Sequence, residues 1–107
     1  NFLVLKDGGV KLLDWEYAGM CDPIIEVSMS AIYAYYVEAD RETLLASYLQ
    51  REAGTHEYVA VYAYAALGGF LWSLWAVYKS ALGDEFGEYT IIMYRYAKKY
   101  YRKLRKL

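Results

Sequence analysis

YVAVYAYAALGGFLWSLWAVY, residues 58 to 78, holds no charged side chain in 21 positions. A helix of that length can cross a bilayer, and the basic tail that follows would suit a cytoplasmic flank. Its tyrosine hydroxyls, Ser73 and the Gly68-Gly69 pair point the other way, because polar groups in hydrocarbon need partners. An uncharged helix is also what the centre of an all-α domain requires. We read it as the central helix of a bundle, with a membrane span as the alternative. Gly68-Gly69 then admits a close helix neighbour or a slight kink.

Working outward, the punctuation predicts four helices. Asp22 caps the first and Pro23 fills its first position, with an end near residue 38. Asp40 caps a second, which runs to Ala53 and stops at Gly54. Thr55 caps the third, which runs to Leu82 and stops at Gly83. Asp84 caps a fourth that reaches the end of the chain. Residues 15 to 21 read as a loop. Residues 1 to 14 read as a β-hairpin, since Phe2-Leu3-Val4-Leu5 and Val10-Lys11-Leu12-Leu13 flank Lys6-Asp7-Gly8-Gly9. A turn centred on Asp7-Gly8 pairs Leu5 with Val10 and Leu3 with Leu12. That register sets Asn1 opposite Asp14, with Cα atoms about 5 Å apart. The fold class is mainly α: one partial domain, 1-107, made of a hairpin over 1-14 and a helical bundle over 22-107.

Composition narrows the function. The chain has 107 residues, a net charge of -1, 58% hydrophobic residues and 23% charged ones. That is one domain, too apolar for a disordered tail. With one Cys and one His, an internal disulfide and a His/Cys zinc site are both excluded. The near-zero charge argues against a general nucleic-acid binder. Residues 84 to 107 nevertheless carry seven basic and three acidic groups, which suits a solvated last helix with cations near its C-terminal dipole. A patch for acidic lipid or nucleic acid is the alternative. The chain opens at Asn1 inside an apolar run, with no basic n-region and no cleavage site, so it is no signal peptide. A longer parent protein is expected.

Two constellations can carry chemistry. Asn1 and Asp14, with Glu16 two residues on, are hard oxygen ligands of the kind Mg²⁺ prefers. A polar strand end in water is the plainer reading. Trp72, Trp75 and Tyr78 recur at steps of three on one helix face. Ring faces attract cations, and cages for quaternary ammonium groups use that attraction; an aromatic core stripe is the plainer reading. His56 reads as a surface or capping residue. Cys21 reads as a small buried side chain with no paired base.

Asn1-Phe2-Leu3-Val4, Val10 through Gly19 with its Asp14-Trp15-Glu16-Tyr17 core, and Asp22-Pro23 resemble the second half of the active site of choline/ethanolamine kinases. Those enzymes belong to the kinase-like superfamily of aminoglycoside phosphotransferases. Phe70-Leu71-Trp72-Ser73-Leu74-Trp75 resembles the segment whose tryptophans line the choline pocket. A bacterial form, of the kind that supplies phosphocholine for surface decoration, is the most similar. The resemblance spans nearly the whole chain and implies the C-terminal lobe of a kinase-like fold.

By that resemblance Asp14 binds the metal that orients the ATP phosphates, in the role of the protein-kinase DFG aspartate. Asn1 helps hold Mg²⁺, and Glu16 is the acidic residue beside the site. Trp72 and Trp75 are walls of the choline cage, and Tyr89 is a looser aromatic match. Glu26 stands at a supporting acidic position where Asp is usual. The family's catalytic aspartate and nucleotide-binding lobe have no counterpart in these residues, so the chain by itself is expected to be inactive. Ile32 through Tyr36 lack an acidic residue that relatives often carry near the amine. The implied activity of the parent is ATP-dependent phosphorylation of choline, with Mg²⁺ and ATP. Ethanolamine or an aminoglycoside as substrate, and a small membrane-associated helical protein, are the alternatives. A homodimer through exposed lobe surface or hairpin exchange, a cytoplasmic location, and no nucleic-acid or membrane partner complete the expectation.

Overall fold

The computed structural model describes residues 1–16 and 18–107. Two strands, β1 (Phe2–Val4) and β2 (Val10–Leu12), precede α1 (Ile24–Tyr33), α2 (Glu38–Leu49), α3 (Thr55–Ala81) and α4 (Tyr89–Leu104). The hairpin and the four helices agree with the sequence reading. Tyr17, part of the expected loop, lies outside the described residues.

The hairpin register differs from expectation by one residue. Phe2 pairs with Leu12, Leu3 with Lys11 and Val4 with Val10. The turn takes three residues rather than two. Leu5 donates from its amide to the Gly9 carbonyl at 2.7 Å, and Gly8 donates to the Leu5 carbonyl at 3.0 Å. Gly8 has φ 85°, which is a type I turn followed by a left-handed glycine. The Asp7 Oδ1 accepts the Gly9 amide at 2.9 Å, which holds the bulge in place.

Each helix boundary has a local cause. Asp22 does cap α1, its Oδ1 accepting the Ile24 amide at 2.9 Å. α1 ends five residues earlier than expected, at Tyr33. There Tyr35 turns left-handed at φ 54°. The Tyr36 amide reaches the Ala31 carbonyl at 3.0 Å and the Tyr35 amide reaches Ile32 at 3.3 Å. That is a Schellman ending in which a tyrosine stands where glycine is usual. Val37, not Asp40, precedes α2. Gly54, not Thr55, flanks α3, and its amide is taken by Glu57 Oε2 at 2.9 Å. Gly83 does stop α3, at φ 99°. Asp84 does not start α4; it ion-pairs with Lys79 at 2.7 Å and seals the end of α3.

α3 lies between α1 and α4, and its buried residues Val61, Tyr62, Ala65, Gly68, Gly69, Ser73 and Ala76 face those neighbours. A Cβ on Gly69 would sit 2.7 Å from the Met93 carbonyl oxygen and 2.8 Å from the Ala97 nitrogen, so only glycine lets α4 approach that closely. A Cβ on Gly68 would meet the end of Met29 from α1. The expected close packing is therefore present on both sides. α3 is long and apolar enough to cross a membrane by length and composition; here it forms the middle of the bundle.

α2 is tied on by a buried cation. Arg41 is fully buried and donates to the Tyr100 hydroxyl at 3.1 Å. Its guanidinium lies 5.4 Å from the ring centres of both Tyr62 and Tyr100. Glu38 pairs with it at 3.3 Å and also with Lys103 of α4. Cys21 is exposed rather than buried, because the segment before α1 runs over the surface. His56 is exposed in the first turn of α3.

Candidate active site

One candidate constellation is the open end of the hairpin. With the register moved by one, Asn1 stands level with Leu13, whose amide donates to the Asn1 carbonyl at 2.9 Å. Asp14 follows in the left-handed region at φ 64°. Aspartate tolerates that conformation better than most residues. The backbone reversal carries its carboxylate back to the hairpin end, where Asn1 Nδ2 donates to Asp14 Oδ2 at 3.3 Å. The expected pair is thus formed, by a strained backbone rather than by direct cross-strand pairing. Both side chains are exposed, which leaves room for a hydrated ion.

An asparagine and an aspartate side by side are residue types that suit Mg²⁺, which keeps several waters and takes few protein ligands; here Asn1 turns its Nδ2 toward the carboxylate. Among the described residues no three His, Cys, Asp or Glu side chains converge. An ion held here would use Asn1, Asp14 and oxygens from water or phosphate. Glu16 is exposed and has no hydrogen bond or ion pair among the described residues. Glu26 is exposed in the first turn of α1, where its charge favours the helix start.

A second constellation, joined to the hairpin end by no hydrogen bond, ion pair or ring contact among the described residues, is a row of aromatic rings. Trp72 meets Trp75 edge to face at 5.4 Å. On one side Trp72 meets Tyr33 of α1 at 5.9 Å. On the other, Trp75 meets Phe86 at 5.1 Å, and Phe86 meets Tyr89 at 6.1 Å. Burial pushes the Tyr89 phenol above its usual value, and the nearby Tyr35 adds to that shift. Tyr78, the third residue of the expected stripe, is 62% exposed and joins no ring contact in this row.

Of the rings in this row, Trp72, Trp75 and Tyr89 are the ones the sequence singles out, while Tyr33 and Phe86 join them only in the fold. Phe86 lies in a segment read as helix; Gly87 at φ 52° keeps it in a loop that reaches Trp75. Tyr33 belongs to the last turn of α1, which no spacing rule connects to α3. A further tie joins the two halves of the chain: the Tyr64 hydroxyl of α3 donates to Asp22 Oδ2 at 2.9 Å. The acceptor carboxylate raises the pKa of that phenol.

A hairpin-end aspartate followed by a helical bundle with a ring-lined face is the arrangement that the resemblance to kinase-like phosphotransferases leads one to expect. Comparison with known proteins narrows this. No family model matches the chain. It is 26% identical over 95 residues to protein LicA of Haemophilus influenzae, covering 83% of this chain and 36% of that protein. A crystal structure of choline kinase LicA from Streptococcus pneumoniae superposes with a TM-score of 0.76 at 30% identity, covering 96% of this chain and 36% of that one. A structure of LicA in complex with AMP gives a TM-score of 0.77 at 30% identity, over 97% of this chain and 36% of its own length. The chain is similar to choline kinases and fits the C-terminal part of such an enzyme. It spans about a third of the length of the relatives it matches.

Proposed function

We propose that this chain is the amine-binding and metal-binding part of an ATP-dependent choline kinase. The observation that carries the reading is the continuous row Tyr33, Trp72, Trp75, Phe86 and Tyr89, drawn from α1, α3, the α3–α4 loop and α4. A quaternary ammonium has no N–H to donate, so ring faces and van der Waals contact are what can hold it. A primary ammonium donates three hydrogen bonds and calls for carboxylates. Ring faces suit choline better than ethanolamine or an aminoglycoside, and no hydrogen bond joins a carboxylate to these rings among the described residues.

In the reaction, the choline hydroxyl oxygen bonds to the γ-phosphorus of ATP and the bond from that phosphorus to the ADP oxygen breaks. The hydroxyl proton passes to the family's catalytic aspartate, which is not among these 107 residues. Asp14 and Asn1 offer oxygens for Mg²⁺, which supplies charge neutralisation on the phosphates when bound. The rings fix the ammonium and thereby the reach of the hydroxyl. Positioning and charge neutralisation act only together, so the chain alone should not turn over. The supporting role proposed for Glu26 is indirect, and Glu16 adds negative charge beside the ion.

The test is a phosphorylation assay with ATP, Mg²⁺ and choline. The 107-residue chain should give no product, while a longer kinase carrying it as its C-terminal part should phosphorylate choline. In that longer protein Trp75→Ala should weaken choline binding by about 5- to 30-fold, the equivalent of about 1–2 kcal/mol. Turnover by the chain alone, or an unchanged choline KM in the variant, would overturn the proposal.

A further inference from the structure

The outer face of α3 is unusual for a surface. Leu67, Phe70, Leu71, Leu74, Val77 and Tyr78 are all exposed, between 50% and 65%. No charged residue lies between Tyr58 and Tyr78 to interrupt them. Monomers rarely leave an apolar face of that extent to water. Between α3 and α4 the same face deepens into a groove of about 460 Å³, where Leu67 and Phe70 oppose Tyr94, Tyr101 and Leu104. Its only charged wall is Lys98.

The neighbouring surface of α4 is cationic. Lys98, Arg102, Arg105 and Lys106 are exposed, and none of them has an acidic partner among the described residues. Lys98 instead lies 5.5 Å from the Tyr94 ring centre. On a helical wheel Lys98 and Arg105 fall beside Tyr94 and Tyr101, so the cations edge the groove. Lys103, by contrast, is committed to Glu38.

We infer that this face docks on the surface of an acidic bilayer, α3 and the groove entering the headgroup boundary while the α4 cations meet anionic headgroups. The combination selects the occupant. Apolar area alone would suit any greasy partner, but the unpaired cations at its edge require negative charge on the other side. A second copy placed symmetrically would lay the same cations against each other. Nucleic acid would answer the charges and leave the apolar face in water. Tyr94 and Tyr101 are suited to the boundary, with an apolar ring and a polar tip. This is docking on a membrane, not a span, since α3 keeps its inner face against α1 and α4. Burial of this face by the remainder of a longer kinase would overturn it.

The test is vesicle flotation of the intact chain. With vesicles of 30% phosphatidylglycerol in phosphatidylcholine, the chain should float, and about 0.5 M salt should release most of it, as screening at that strength demands. Lys98→Glu with Arg102→Glu should cut bound protein at least tenfold, and Phe70→Ser should do so without changing the charge. Circular dichroism checks that each variant is folded, and Lys98→Gln with Arg102→Gln serves if the charge reversal unfolds. Equal flotation with pure phosphatidylcholine, binding untouched by the charge variants, or no flotation at all would overturn the inference. So would a dimer in solution whose contact protects Phe70.

Discussion

Asp14 adopts a backbone conformation with φ 64°, which costs an L-residue about 1–2 kcal/mol. The return is the approach of its carboxylate to Asn1 at 3.3 Å. Strain of this kind gathers where a side chain must be aimed. Asp14→Gly should therefore keep or slightly raise the melting temperature while abolishing Mn²⁺-induced broadening of the Asn1 side-chain amide in NMR spectra. Asp14→Ala should lose both, with stability lower than Asp14→Gly by about 1 kcal/mol. Broadening that survives in the glycine variant would show that the ion is held elsewhere. The pairing of Asn1 with Asp14 was legible in the sequence, although through the wrong register. A one-residue slip in a short ribbon is invisible to apolar patterning when both faces are apolar, as in Phe2-Leu3-Val4. The left-handed turn at Asp14 corrected for it, and nothing in a single sequence announces such a turn.

At the scale of elements, glycine and charge decide the packing. Gly69 faces the backbone of α4, whereas Gly68 faces the flexible end of Met29. Gly69→Ala should destabilise the chain by about 1–3 kcal/mol, the range for overpacking a tight contact. Gly68→Ala should cost less, because Met29 can move. Chemical denaturation of the two variants measures the difference, and equal effects would contradict the geometry. The clasp between α2 and α4 predicts a pH effect. The Lys103 ammonium, helped by Arg41, holds the Glu38 carboxyl below its usual pKa against the opposing effect of burial. Its stabilisation is therefore complete above the ordinary glutamate value, about 4.3. It is lost as pH falls through the lower folded-state value. Acid melts of the wild-type chain should fall more steeply below about pH 4 than those of Glu38→Gln. Helix existence was plain from the caps and the uncharged run. Ends were not: Tyr35 and Gln50 close α1 and α2 from the left-handed region, where glycine or asparagine is the usual signal.

For the whole molecule, exposure separates two kinds of surface. The hairpin stands largely in water: Phe2, Val4 and Val10 are each more than 60% exposed. Both of its strand edges are open, and such edges recruit further strands. We expect the chain to dimerise by hairpin exchange or edge pairing. Light scattering should give twice the chain mass, and Leu3→Lys should return it to monomer; a monomeric wild type would refute this. The bundle face of α3 and α4 is a separate surface, and its cations set it apart. None of this long-range arrangement is written in local spacing. The sequence placed Trp72 beside Trp75, but only the fold adds Tyr33 from α1 and Phe86 from the loop to the same row.

The central claim is that those rings form the seat of a quaternary ammonium. The chain has three tryptophans, and each indole N–H gives its own NMR signal. Trp15 is the internal control, since it sits by the hairpin and donates to the Leu12 carbonyl at 3.2 Å. On titration with choline, the Trp72 and Trp75 signals should move together and saturate while Trp15 stays still, and ethanolamine should move them less. Static Trp72 and Trp75 signals, or an equal response from all three indoles, would contradict the account.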